Sequence, residues 1–348
     1  MIPYDPSSGY LHDILEQPAA LNDTLAGLES GLALGELPAR LANGEFRRIV
    51  LTGMGSSYHG LVPLNYHLLK HGLPAVMIET SELIHQLPEL IHSSSLIVAV
   101  SQSGRSAETI GLLDLAESRG AAILGVTNTP ASPLDVRSTA RVLTRAGEEA
   151  TVSCKTYQAT LLALRWLGDA LTGDSLDSTR IESHAAANAV NSYLKNWKEH
   201  TAWLELTLAG VEHILLAGRG SSLAACGTGG LITKESARVH AEGMSSAALR
   251  HGPLEMLGQN CFVLVFSGEE PTRALNNRLY EDLRAAAIPT GWVDMGTGPG
   301  PFLLPPAPEH LRSILEILPV EMMTLALARL RGRVAGTFER ATKVTTSE

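Results

Sequence analysis

Residues 49–57 read Ile-Val-Leu-Thr-Gly-Met-Gly-Ser-Ser, and residues 214–222 read Ile-Leu-Leu-Ala-Gly-Arg-Gly-Ser-Ser. A short apolar run thus passes twice into Gly-x-Gly-Ser-Ser, the second time 165 residues after the first. A run of that kind bounded by glycine reads as a buried strand, and the glycines allow a tight turn at its end. The offset matches about one α/β domain and is far longer than any solenoid unit. A chain of 348 residues holds two such domains with short extensions, so the simplest reading is a duplicated domain.

Each copy continues as alternating strand and helix. After Gly53 comes a helical stretch through Leu68, then a buried strand over 75–79 and a second apolar strand over 96–100 ending in Ser101-Gln102-Ser103-Gly104. A helix is predicted over 107–119, a strand over 122–126 and a helix over 158–171. In the second copy, 262–266 forms a strand ending in Ser267-Gly268. This alternation predicts an α/β chain with parallel, doubly wound sheets. The expected organisation is a helical lead-in (1–45), a first domain (46–171), a helical connector (172–206), a second domain (207–332) and a tail (333–348). Residues 296–308, dense in Gly and Pro, read as an irregular loop, and the last helix is expected from Pro319 to Arg331.

Composition excludes several classes. Apolar residues make up 45% and charged residues 18%, the profile of a globular protein. A net charge of −9 without any Lys/Arg-rich run argues against a nucleic-acid partner. The N-terminus lacks the charged and apolar regions of a signal peptide, and no apolar run approaches the ~18 residues that span a bilayer. Cys154, Cys226 and Cys261 are odd in number, with no CxxC or Cys/His pairing, which speaks against disulfides and against a zinc site. The expectation is a cytoplasmic protein with no metal, no cofactor and no membrane partner.

In open α/β sheets, ligands bind at the carboxyl ends of strands. Both Gly55-Ser56-Ser57 and the run Ser101 to Ser106 fall there. Glycine turns, helix N-termini and hydroxyls together can wrap a phosphate without a lysine. Serines at such positions also cap helices, their commonest role. Two serine-rich turns on strand ends of one domain favour an anion site. Glu235 lies in a helical stretch beside an apolar face, where burial would suit a carboxylate to take a carbon-bound proton. The plainer alternative pairs it with Arg238 on a solvated face. His251 precedes Gly252-Pro253, so it sits at a turn, placed either for proton transfer or for capping.

These segments together resemble the tandem SIS (sugar isomerase) domain family, which includes the isomerase half of glucosamine-6-phosphate synthase, sugar-phosphate deaminases and Amadori-product deglycases. The resemblance runs from Asp13-Ile14-Leu15-Glu16-Gln17-Pro18 through Gly55-Ser56-Ser57-Tyr58-His59, Ser101-Gln102-Ser103-Gly104 and Ala146-Gly147-Glu148-Glu149. It continues through Lys234-Glu235 and His251-Gly252-Pro253-Leu254 to Lys343-Val344-Thr345-Thr346-Ser347-Glu348. It implies two doubly wound SIS domains in tandem, with Ser56, Ser57, Ser101, Gln102, Ser103 and Ser106 on the sugar phosphate. Across Thr151–Thr156 the family pattern fits with a one-residue gap, which offers Val152 and Ser153 as further ligands. Glu235 would shuttle the proton between C1 and C2, and His251 would open the sugar ring from a neighbouring subunit of a homodimer. Lys343 would close over the sugar beside its carbonyl, although by sequence alone a tail lysine is a solvated charge.

Departures from the family pattern qualify the chemistry. Ile232 stands where the synthase has a second lysine, Arg105 and Ala248 replace acidic residues, and no N-terminal nucleophilic cysteine or glutaminase segment is expected. The implied function is a phosphosugar isomerase or amino-sugar-phosphate deaminase acting at C1–C2 of a 6-phosphorylated sugar, without glutaminase activity. A fructosamine-6-phosphate deglycase is the alternative among enzymes. A non-catalytic sugar-phosphate sensor is the alternative outside them, and the joint presence of Glu235, His251 and Lys343 weighs against it.

Overall fold

A computed structural model describes residues 3–7, 9–340 and 342–345. The chain divides into two compact units. One comprises Ala19–Glu148, Lys155–His184 and Thr342–Glu348; the other comprises Met1–Pro18, Glu149–Cys154 and Ala185–Ala341.

The first of these holds strands β1 (Arg48–Gly53), β2 (Ala75–Glu79), β3 (Ser95–Val100), β4 (Ala122–Thr127) and β5 (Ala140–Leu143). They form one parallel sheet in the order β2-β1-β3-β4-β5. Every residue of β3 and β4 is buried, which is why these segments read as continuous apolar runs without alternation. One face packs Val50, Ile97, Ala99 and Ile123 against Leu112, Leu113 and Ala116 of the helix Ala107–Arg119. The chain passes from β1 outward to β2 and then back to β3 on the other side, so the strand order reverses between β1 and β3, where such sheets hold ligands. Gly53 and Val100 are register partners, so the turns that follow β1 and β3 leave the sheet side by side. A side chain at Gly53 would bring its Cβ within 3.0 Å of the Val100 carbonyl, so the close approach of strand and turn requires glycine.

The other unit holds β6 (His213–Gly218), β7 (His240–Ser245), β8 (Cys261–Phe266), β9 (Thr290–Met295) and the two-residue β10 (Leu303–Leu304). Its order, β10-β9-β8-β6-β7, is the same arrangement of successive strands as in the first sheet. Leu215, Ala217, Val263 and Val265 pack on Leu279 and Leu283 of the helix Glu270–Ala285.

Four local expectations change. The strand 75–79 is an edge strand and not a buried one, with Val76 and Glu79 exposed. The last helix runs Arg312–Leu330 with Pro319 inside it, not at its start. Proline at that place removes one intrahelical bond, and burial of nearly the whole helix maintains it regardless. The stretch after β1 is two helices, Gly55–Gly60 and Val62–Lys70, separated at Leu61 ahead of Pro63. The loop 296–308 is not wholly irregular, since Leu303–Leu304 pairs with β9 as β10. No helix among the described residues is long and apolar enough to cross a membrane.

Candidate active site

In the β1–β5 unit, a cavity of ≈ 140 Å³ opens at the strand ends. It is lined by Ser57 after β1, by Ser101, Gln102, Ser103 and Ser106 after β3, and by Lys343. Five serine and glutamine positions singled out in the sequence therefore converge on one space with the tail lysine. Ser56, in the same helix as Ser57, does not line it.

The β3 turn is braced from outside. The Gln102 carbonyl accepts from Asn128 N at 3.1 Å and from the hydroxyls of Thr127 and Thr129, each at 3.2 Å. Gly104 adopts φ +62°, and a Cβ there would meet Ser132 Oγ at 2.2 Å, so the turn can close only around glycine. Ser101 Oγ accepts from Gly104 N at 3.2 Å, and Ser106 caps the helix Ala107–Arg119 by accepting from Thr109 N at 3.3 Å. Capping and ligand binding are not exclusive here, because a hydroxyl that accepts one bond still has its proton to donate. The helix beyond is 13 residues long and directs its positive end at the cavity. The tail lies on that same end: Ala107 N donates to the Thr345 carbonyl at 3.2 Å. Thr346, Ser347 and Glu348 of the family-like tail lie outside the described residues.

The remaining sequence candidates belong to the other unit. Glu235 is half-buried near the end of the helix Leu223–Ala237. It lines a cavity of ≈ 400 Å³ with Lys234, Arg238, Arg333, Arg340 and a second carboxylate, Glu339. Arg238 pairs with Glu339 at 2.5 Å and donates to the Thr337 carbonyl at 3.1 Å. His251 is exposed and ends the short helix Ser246–Arg250, at the turn expected from Gly252-Pro253. Val152 is buried and Ser153 half-buried in the segment Glu149–Cys154.

The second Gly-x-Gly-Ser-Ser turn is filled by the chain's own carboxylates. Ser221 Oγ donates to Glu269 Oε1 at 2.5 Å, and Ser222 Oγ donates to Glu316 Oε1 at 2.9 Å. Arg312 in turn reaches Glu316 Oε1 at 2.8 Å and Ser267 Oγ at 2.7 Å. Burial pushes the Glu316 carboxyl up, and the Arg312 guanidinium opposes that shift. Where the first copy leaves hydroxyls around a cavity, the second engages them internally.

Three lining residues went unnoticed in the sequence: Thr80, Glu108 and Thr109. Glu108 is 8% exposed, and its Oε2 is buried without a hydrogen-bond partner among the described residues. An acidic residue in a first helical turn normally signals only dipole complementarity, so nothing in the sequence set it apart.

The chain is 30% identical over 343 residues to glutamine–fructose-6-phosphate aminotransferase [isomerizing] of Pyrococcus horikoshii, covering 93% of this chain and 56% of the relative. The human glutamine–fructose-6-phosphate aminotransferase [isomerizing] 2 is 28% identical over 338 residues, covering 92% and 50%. The chain thus spans about half the length of these relatives. Among solved structures, the C-terminal domain of glucosamine-fructose-6-phosphate aminotransferase from Francisella tularensis superposes with a TM-score of 0.80 at 20% identity, covering 95% of this chain and 98% of that one. Glucosamine-6-phosphate deaminase from Thermotoga maritima gives 0.78 at 18% identity, covering 96% and 99%. These likenesses show a shared fold. The SIS domain model matches residues 45–168 and 207–288, two spans that each run through a strand and its Gly-x-Gly-Ser-Ser turn, and the chain belongs to the SIS domain family.

Proposed function

We propose that the protein acts at C1–C2 of a 6-phosphorylated sugar, as an aldose–ketose isomerase or an isomerising amino-sugar-phosphate deaminase. The observation that carries this is the convergence of Ser57, Ser101, Gln102, Ser103, Ser106 and Lys343 on one cavity at a 13-residue helix N-terminus. Neutral donors and a helix end suit a phosphate, and an amine beside them suits a sugar carbonyl. The relatives' names support the substrate class, since fructose-6-phosphate and glucosamine-6-phosphate both carry phosphate at C6. Ser56, Val152 and Ser153 are proposed as supporting contacts to the sugar phosphate. Glu235 is proposed as the base that moves the proton between C1 and C2. His251 is proposed to open the ring in the site of a second copy of the chain.

The test is a panel of glucosamine-6-phosphate, fructose-6-phosphate, tagatose-6-phosphate and a fructosamine-6-phosphate, followed for ketose–aldose conversion and for released amine. Turnover of one of the first three that Glu235→Gln abolishes supports the proposal. Turnover confined to the fructosamine-6-phosphate assigns a deglycase instead. Binding without turnover of any of them assigns a sensor.

A further inference from the structure

The helix Val62–Lys70 and the residue that ends it carry two histidines one turn apart, His67 and His71, and neither lines the serine-turn cavity. Residues at i and i+4 share a helix face, and their rings lie with centroids 4.4 Å apart. The loop after the helix Lys155–Thr172 brings Asp174 to the same point. Asp174 Oδ2 stands 3.5 Å from His67 Nε2 and 3.2 Å from His71 Nε2. All three ligand atoms fall within 4.8 Å of one another.

We infer that His67, His71 and Asp174 form a site for a divalent transition-metal cation of the zinc class. Zinc bonds to nitrogen and carboxylate oxygen are roughly 2.0–2.2 Å, which puts neighbouring ligands of a tetrahedron roughly 3.3–3.6 Å apart. The His67–Asp174 separation of 3.5 Å falls within that edge length, and the His71–Asp174 separation of 3.2 Å lies just below it.

The hydrogen bonds around the three side chains call for positive charge at their centre and leave room for a cation there. His71 Nδ1 lies 2.8 Å from the His67 carbonyl, an atom that can only accept, so Nδ1 carries the proton. In the neutral ring this leaves the Nε2 lone pair facing the Asp174 carboxylate. Two acceptors at 3.2 Å need a positive charge between them, whether a proton or a metal ion. Backbone support of the distal ring nitrogen is also the usual outer-shell arrangement for a metal-binding histidine.

Asp174 is positioned in turn, with its N–H donating to the Asp169 carbonyl at 3.0 Å and its Oδ2 accepting from Thr172 Oγ1 at 2.9 Å. Asp169, fully buried, adds negative charge 3.5 Å from His67 Nε2, while Arg165 balances it through a 2.9 Å pair. Coordination through Nε2 turns the His67 proton toward Arg165 Nη1, a long 3.5 Å contact, and replaces the 3.2 Å contact of Nε2 with Thr172 Oγ1. The sequence expectation of no metal rested on cysteine spacing, and these ligands use none.

The test is calorimetric titration of Zn²⁺ into the full chain, stripped of metal by chelation and free of any affinity tag. One equivalent is expected to bind, and His71→Ala and Asp174→Asn are each expected to weaken it at least about 10-fold. Both positions are exposed, so the variants are expected to fold, and an unchanged circular dichroism spectrum checks this. His184→Ala, which alters an exposed histidine–carboxylate pair elsewhere in the same unit, is expected to bind like the parent. Cobalt in place of zinc is expected to give the strong visible absorption of a four-coordinate site, lost in His71→Ala. Absence of saturable binding, or binding undiminished in the His71→Ala/Asp174→Asn double variant, overturns the inference.

Discussion

The Ala107 N–H donates to the Thr345 carbonyl at 3.2 Å, so the tail supplies an acceptor at the helix end beside the serine turn. A backbone carbonyl carries the partial negative charge that this end attracts, and a phosphate oxygen would compete for the same N–H. An anion bound there would thus be an alternative or neighbouring occupant of the niche that the tail fills, with Lys343 two residues from the contact.

The first expected outcome concerns Lys343. Replacing it with Ala is expected to lower turnover at least about 100-fold, the scale of one lost acid–base or nucleophilic group. Melting temperature is expected to change by no more than about 1–2 °C, because the side chain is only half-buried in a polar tail. Removing residues 341–348 is expected to match the point variant. Full turnover in the truncated protein returns Lys343 to the status of a surface charge.

The serines separate binding from stability. Ser106→Ala removes a helix cap and is expected to cost about 1 kcal/mol of stability as well as affinity. Among the described residues the Ser103 hydroxyl makes only a long 3.4 Å contact from Arg105 N on an exposed turn, so Ser103→Ala is expected to leave stability unchanged. Loss of a charge-assisted bond to a phosphate, worth about 1.5–3 kcal/mol, corresponds to roughly 10- to 150-fold weaker binding. Isothermal calorimetry with a 6-phosphosugar beside denaturant titration checks both. Equal affinity for the 6-phosphate and its unphosphorylated sugar refutes the anion site.

What was legible in the sequence follows from which signals are local. The central strands were readable because parallel sheets bury both their faces, and the Ser101–Ser106 turn because a glycine at positive φ and a capping serine leave residue-level traces. The second serine turn looked equivalent to the first, and only its long-range partners, Glu269 and Glu316, distinguish it. Pro319 misled because proline favours helix starts, while burial of the surrounding helix overrides that preference. Glu108 and Asp174 were invisible for a related reason: their significance lies in what the fold brings beside them.

A shared active site makes a specific claim about subunit mixing. His251 is exposed at a turn, consistent with a group offered to a second copy of the chain. Mixing Glu235→Gln and His251→Ala subunits is expected to restore part of the activity, because a mixed dimer keeps one complete site. A mixture that stays inactive despite proven subunit exchange excludes the shared arrangement.

Arg312 is expected to matter for folding. It is 3% exposed and joins Glu316 and Ser267 beneath the filled second turn. Arg312→Met leaves Glu316 buried without its cation, a loss of about 3–5 kcal/mol at neutral pH. Protonation of Glu316 would relieve that, so the difference from the parent protein is expected to shrink as pH is lowered toward 5. A deficit in denaturant midpoint that stays constant across that range contradicts the assignment.

Glu321 gives the fold its own pH dependence. Its carboxyl is fully buried in the helix Arg312–Leu330 and accepts from Gln17 Nε2 at 2.6 Å, which gives Gln17 of the lead-in motif a structural role. Among the described residues, Oε2 of Glu321 and Oε1 of Gln17 have no hydrogen-bond partner. Burial, reinforced by the Glu149 charge and opposed by Gln17, pushes the Glu321 carboxyl up to about 8 from an ordinary 4.5. Between those values the folded chain holds a proton that the unfolded chain has released, so stability falls as pH rises through the window. At 1.36 kcal/mol per unit, the loss from pH 5 to 8 is on the order of 4 kcal/mol. Glu321→Gln keeps the shape and cannot ionise. It is therefore expected to raise stability at pH 8, to change it little at pH 5, and to flatten the profile between. Denaturant titrations of both proteins at those two pH values decide the matter: parallel profiles would place the source of the pH dependence elsewhere in the fold.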